Sequence, residues 1–185
     1  GIRERVNLGD VIIASKFFYY EQSKVKPDEL EIRPQSIPAD AVLKSRLANF
    51  APQASKKYSV KLGPFAIGEK IIADTTMVKT LLEKEPKLVG LEMESFGVAL
   101  ATNLDISRPR FIAIRGVSDY ADEQKDDNHR EEALNNAADF LYSFLEEGTL
   151  PASNSVLSNE KKTLIAIHHT SLDRRSSLEN SIQNS

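Results

Sequence analysis

The sequence predicts an α/β fold, a three-layer α/β/α sandwich with helices on both faces of a central sheet. Short apolar runs of strand length at 11–14, 88–91 and 111–114 alternate with segments whose apolar residues recur every three or four positions. The chain is 185 residues long, enough for one sizeable core and hardly for two. Its 41% hydrophobic and 28% charged residues are those of a globular domain.

Residues 11–14, behind Gly9-Asp10, form the first buried strand of this reading. The stretch 21–38 is polar and interrupted by proline, and Lys24 and Lys26 fall in what reads as a loop. Residues 39–50 have helical spacing with Val42, Leu43 and Leu47 on one face. Residues 58–67 read as a strand broken at Gly63-Pro64. Asp74 or Thr75 caps a helix whose apolar side is Met77, Val78, Leu81 and Leu82. The strand 88–91 runs into a helix containing Val98, Ala99 and Leu100. The strand 111–114 is flanked by charge, and 128–147 is a long amphipathic helix carrying Leu134, Ala137, Ala138, Leu141, Phe144 and Leu145. Past Gly148 the composition shifts, so 1–147 is read as one domain and 148–160, rich in Ser and Asn, as a linker. The tail 161–185, with its apolar run at 164–167, is either the first strand of a further domain or an unstructured end.

A net charge of −3 gives no electrostatic case for nucleic acid or a membrane surface as partner. The absence of cysteine rules out a disulfide scaffold, a thiol nucleophile and a thiolate metal site, and fits an expected cytoplasmic location. No apolar run approaches the roughly 20 residues of a membrane helix, and the first ten residues resemble no secretory signal. They lack an initiator Met, so the chain is read as a piece of a longer protein. His129, His168 and His169 lack metal-ligand spacing, and the last two would point to opposite faces of a strand. The acidic run 122–127 reads as a solvated loop. Neither a metal nor a cofactor is expected.

Two segments carry chemistry. After the strand 88–91 come Glu92-Met93-Glu94-Ser95. A carboxylate directed into a crevice accepts hydrogen bonds from a vicinal diol such as the 2′ and 3′ hydroxyls of ribose. A methionine beside it offers a soft apolar surface to the sugar face. Equally, the pair reads as the solvated N-terminus of a helix, where the dipole favours Glu. After 111–114 comes Arg115-Gly116-Val117-Ser118-Asp119-Tyr120-Ala121-Asp122. Gly116 permits a close backbone approach. Asp119 reads as a general acid or as a cap and turn residue. Tyr19 and Tyr20 read as pocket lining, subunit contact or ordinary packing.

The two motifs in this order, about 20 residues apart, resemble the nucleoside phosphorylase/nucleosidase superfamily. They look most like its methylthioadenosine/S-adenosylhomocysteine nucleosidase-like members, and like the multidomain effector-type branch fused to signalling or defence modules. The segments at 9–14, 19–21 and 63–70, and Lys125-Asp126-Asp127, agree with this. The resemblance spans 1–147 and implies a mixed, mostly parallel sheet. It implies cleavage of the N-glycosidic bond of a purine nucleoside or nucleotide, by water as a nucleosidase or by inorganic phosphate as a phosphorylase. The rival from another class is a non-catalytic nucleotide-sensing module.

By match to the motifs, Glu94 would hold the ribose hydroxyls, with Met93 and Gly1 against the sugar. Asp119 would protonate purine N7 with Ser118 orienting it, while Arg115 and Glu92 would support the site. Ile71 and Ile72 fall in the base-binding segment, with Ile71 where the nucleosidases place an aromatic ring; an adenine-type base is expected. Gly1 matches the glycine-rich turn at the ribose. The family's upstream portion would then supply the first strands and the water-activating carboxylate, or much of a phosphate site, and residues 1–185 alone are expected to be inactive. Relatives are homo-oligomers in which a neighbour closes the pocket, and the same is expected here.

Overall fold

The computed structural model describes residues 1–27, 29–54, 56–122, 128–146 and 163–165. The linker at 148–160, His168, His169, residues 123–127 and all of the tail except 163–165 lie outside the described residues. The strands are β1 (Val11–Tyr19), β2 (Ser23–Lys26), β3 (Glu29–Ile32), β4 (Gln35–Pro38), β5 (Val60–Ile67), β6 (Gly90–Glu92), β7 (Arg110–Ile112), β8 (Ile114–Gly116) and β9 (Thr163–Ile165). The helices are α1 (Ala41–Phe50), α2 (Thr75–Lys84), α3 (Ser95–Leu104) and α4 (Arg130–Glu146).

The centre is a mixed sheet. β5 lies parallel to β1 and β6 parallel to β5. On the other side of β1, β8 pairs antiparallel with its first half and β4 antiparallel with its second. β7 and β9 pair parallel apart from this sheet. The two faces bury separate clusters. Val11, Ile13, Phe17, Phe65 and Ile67 join residues of α1, α3 and α4, including Leu43, Ala99, Phe140 and Phe144. Phe18, Tyr20 and Ala66 join Ile2, Leu88 and Leu81 of α2. Phe65 and Ile67 against Ala66 on β5, and Phe17 against Phe18 on β1, thus face opposite sides of the sheet and feed helices on both, which makes the three layers.

Several expectations are corrected. Gly63-Pro64 does not break the strand expected at 58–67, because β5 passes through both residues. The partner strand accommodates the proline instead, with a register shift between Ala14 and Lys16 opposite Gly63 and Pro64. The stretch 21–38 is not a loop: β2 and β3 form an antiparallel hairpin, on which Lys26 reaches Glu31 at 2.9 Å. The run 111–114 is divided between β7 and β8. Between them the carbonyl of Ala113 accepts from the Ala14 amide at 2.9 Å. The strand expected at 88–91 begins two residues later, at Gly90.

Helix boundaries follow their caps. Asp40 accepts from the Leu43 amide at 2.8 Å and opens α1. Asp74 accepts from the Thr76 amide at 2.8 Å and opens α2. The apolar faces are rotated from those expected. Val42 and Leu145 face outward, whereas Phe50, Ala133 and Phe140 are buried.

One consequence is a pH dependence. Burial pushes the Tyr20 phenol up from 10.0 to about 12. The unfolded chain ionises near its ordinary value, so the neutral phenol's contribution is complete below pH 10 and lost as pH rises towards 12. The unfolding free energy from denaturant titrations should fall between pH 9 and pH 12 by an amount on the order of 2 kcal/mol. In Tyr20→Phe the corresponding part of that fall should disappear.

Candidate active site

Glu92 ends β6, and its side chain is only 7% exposed. A buried carboxylate must be paired, and this one is paired twice over. Oε1 accepts from the Ser95 amide at 2.9 Å and Oε2 from the Glu94 amide at 3.2 Å, so Glu92 caps the start of α3. Its Oε2 also lies 2.6 Å from Nη2 of Arg115. The same Nη2 lies 2.6 Å from Oε2 of Glu94, whose side chain is 47% exposed. Arg115 therefore spans the two carboxylates and fixes the direction of the outer one. Oε1 of Glu94 makes no hydrogen bond among the described residues and is an open acceptor beside Met93, itself 39% exposed.

Arg115 lies in β8, opposite Ile12 of β1. Arg115 and Gly116 are thus within a strand, not after one, and that strand runs antiparallel to its neighbour. Glu92 likewise closes β6 instead of following it, while Glu94 and the pair Ser118-Asp119 lie past the ends of their strands, as expected. The long Arg115 side chain is what joins the two segments.

Ser118 and Asp119 lie just beyond β8. Asp119 Oδ1 accepts from the Ala121 amide at 2.9 Å, and Oδ2 from the Ser118 hydroxyl at 3.3 Å. The carboxylate is thereby oriented within its own turn. Its carbonyl accepts from the nitrogen of Gly1 at 2.6 Å. The next amide, of Ile2, donates to the carbonyl of Val89 at 3.0 Å, just ahead of β6. Gly1 and Ile2 thus touch both the turn bearing Asp119 and the lead-in to the strand bearing Glu92. Gly116 accounts for the close approach expected of it, since a Cβ there would lie 1.9 Å from the Ala133 carbonyl oxygen of α4.

The profile described as "Phosphorylase superfamily" matches residues 1–147. The chain belongs to the phosphorylase superfamily. A 5′-methylthioadenosine/S-adenosylhomocysteine nucleosidase of Desulfotalea psychrophila is 25% identical to it over 162 residues, covering 80% of this chain and 64% of that protein. An Escherichia coli ATP nucleosidase, Cap17, is 26% identical over 181 residues, covering 82% of this chain and 35% of that protein. The Neisseria meningitidis 5′-methylthioadenosine/S-adenosylhomocysteine nucleosidase, solved with methylthio-immucillin-A, superposes with a TM-score of 0.66 at 21% identity. That superposition covers 80% of this chain and 65% of the other, and it establishes the shared fold. The chain thus spans less than two thirds of these relatives' length.

Within this phosphorylase-superfamily domain, Ile71 is 70% exposed, while Ile72 packs against the cluster of Ile2, Tyr20 and Leu81. No described contact places either against Glu94 or Asp119. Their loop is tied to the end of β1, where Glu21 accepts from the Glu69 amide at 3.0 Å and pairs with Lys70. The Lys70 ammonium holds the Glu21 carboxyl below the usual carboxylate range. Sequence reasoning missed Phe96, two residues after Glu94. Its ring stacks on Tyr19 with centroids 4.2 Å apart and planes 11° from parallel. Tyr19 faces Ile67 in register and Ile67 faces Glu92, so this aromatic pair stands at the same sheet end as Glu92. An aromatic in the first turn of α3 was the available signal. Among the described residues, no cluster of His, Cys, Asp and Glu could hold a metal ion, and no helix is long and apolar enough to cross a membrane.

Proposed function

We propose that this domain, in the complete protein, is a purine nucleosidase that hydrolyses the N-glycosidic bond of a purine nucleoside or nucleotide and releases the free base. One observation supports the reading above the others. Arg115 holds Glu94 through its side chain and leads directly, along the backbone, into Ser118 and Asp119.

Breaking an N-glycosidic bond builds positive charge on the sugar and negative charge on the base. Asp119 supplies a proton to N7, so that the base departs neutral. Glu94 receives the ribose diol on its open oxygen, and Met93 backs the sugar face. Arg115 holds Glu94 in one direction and lowers the conformational entropy still to be lost at the barrier. The nucleosidase function assigned to the two curated relatives and the ligand named for the Neisseria structure lend this reading its substrate class.

The test follows free adenine or guanine by chromatography when the complete protein meets nucleosides, AMP or ATP. Base release independent of inorganic phosphate, with free sugar as product, supports hydrolysis. Strict phosphate dependence with a sugar 1-phosphate product identifies a phosphorylase instead, and binding without base release identifies a sensor. Glu94→Gln should lower kcat/KM about 100-fold, with a raised KM, because diol and Arg115 both lose a charged partner. Steady-state kinetics on 2′-deoxy substrates check this: the variant's deficit should shrink when the 2′ hydroxyl is absent.

A further inference from the structure

The contacts of the Asp119 carboxylate named above lie within its own turn, so they orient the side chain without fixing the turn against the sheet. That second task falls to residues 1–10. Gly9 donates to the Val117 carbonyl and Val117 to the Asp10 carbonyl, both at 2.9 Å, and the Leu8 amide donates to the Tyr120 hydroxyl at 3.3 Å. Arg3 adds a charged side chain to this set. Its Nε donates to Oδ2 of Asp122 at 3.1 Å, its Nη2 bonds the same oxygen, and its guanidinium lies 4.2 Å from the centre of the Tyr120 ring. Asp122 is 9% exposed, and a carboxylate so buried needs pairing of the kind Arg3 provides. Between the two anchored residues Ala121 has φ +56°, a left-handed conformation that a non-glycine residue keeps only when its surroundings hold it. From the same segment the Arg5 guanidinium donates to the Leu88 carbonyl at 2.8 Å, on the approach to β6.

We propose that Arg3 is a positioning residue for the acid of this site: by clasping Tyr120 and Asp122 on either side of Ala121, it sets where Asp119 stands relative to the strand carrying Glu94. The inference rests on the reading of Asp119 as proton donor.

In the complete protein, Arg3→Met should lower kcat for base release about 10- to 100-fold, the scale of a misplaced catalytic group, and leave KM within about twofold. Asp122→Asn, nearly isosteric, should lose a similar amount and serves if Arg3→Met does not fold. Arg3→Lys should recover part of the loss, since it keeps the charge without the planar fork. The decisive readout is a cycle with Asp119→Asn. If Arg3 acts through Asp119, Arg3→Met should cost nothing further in that background. Unchanged kcat in both Arg3→Met and Asp122→Asn overturns the proposal, as does an equal loss on the Asp119→Asn background. Full activity of Asp119→Asn itself overturns the reading of the acid, and this proposal with it, in a single measurement made without touching Arg3.

Discussion

Asp119→Asn in the complete protein should lower kcat for purine release roughly 1,000-fold, within the range a positioned general acid supplies. Asparagine has nearly the same shape, and its side-chain oxygen still accepts from the Ala121 amide that now holds Oδ1 at 2.9 Å. The turn should therefore persist, so KM should stay within about threefold while the chemical step loses its proton. Without that proton the base must leave as an anion, and the barrier rises by about 4 kcal/mol for a 1,000-fold loss. Steady-state kinetics with a thermal melt as control check this. Substrates whose leaving base needs no protonation should be cleaved by the variant almost as fast as by wild type.

The largest effect on stability is expected at Gly116. A Cβ built there would lie 1.9 Å from the Ala133 oxygen, 2.3 Å from its carbonyl carbon and 2.8 Å from its Cα, all backbone atoms of α4. Backbone cannot swing aside as a side chain does. Gly116→Ala must push α4 off β8 until contacts reach about 3.5 Å. That movement would draw Phe140 and Phe144 away from Phe50, whose ring centre lies 5.6 and 5.5 Å from theirs. The loss should be about 3 kcal/mol or more, read as a lower denaturant midpoint. Gly97, on the exposed side of α3 with nothing within 4 Å of its Cβ position, is the counter-case. Gly97→Ala should stabilise by about 0.5–1 kcal/mol through helix propensity.

The contrast between these two glycines shows what a sequence can tell. The apolar runs around Ile13, Phe65 and Ile112 announced strands because each buries most of its residues, and the α/β layering followed from them. β4 gave no such signal, since Ile37 is its one buried residue and its place on β1 is made by backbone pairing. The phase of α4 was misjudged by about one position. The tightest contact on that helix is made by the small Ala133 against Gly116, and hydrophobicity patterns give such a residue little weight.

In the site, Glu92, Glu94, Arg115 and Asp119 were legible as motif residues. What the motif leaves out is how Glu92 does its supporting work. Glu92 is taken up by the α3 amides and Arg115, while Glu94 is left facing outward, and these contacts come from the geometry. Arg3 and Asp122 were beyond reach for a different reason: 119 positions separate them, and no local pattern encodes a contact that long.

In the proposed complex Glu94 and Asp119 hold opposite ends of one purine nucleoside. A crystal structure of the complete protein with a non-hydrolysable purine nucleoside analogue tests it most directly. The expected result is the ribose diol within hydrogen-bond distance of Glu94 and N7 facing Asp119 in the same cavity. An analogue seated elsewhere, or carboxylates too far apart for one nucleoside to touch both, would contradict it.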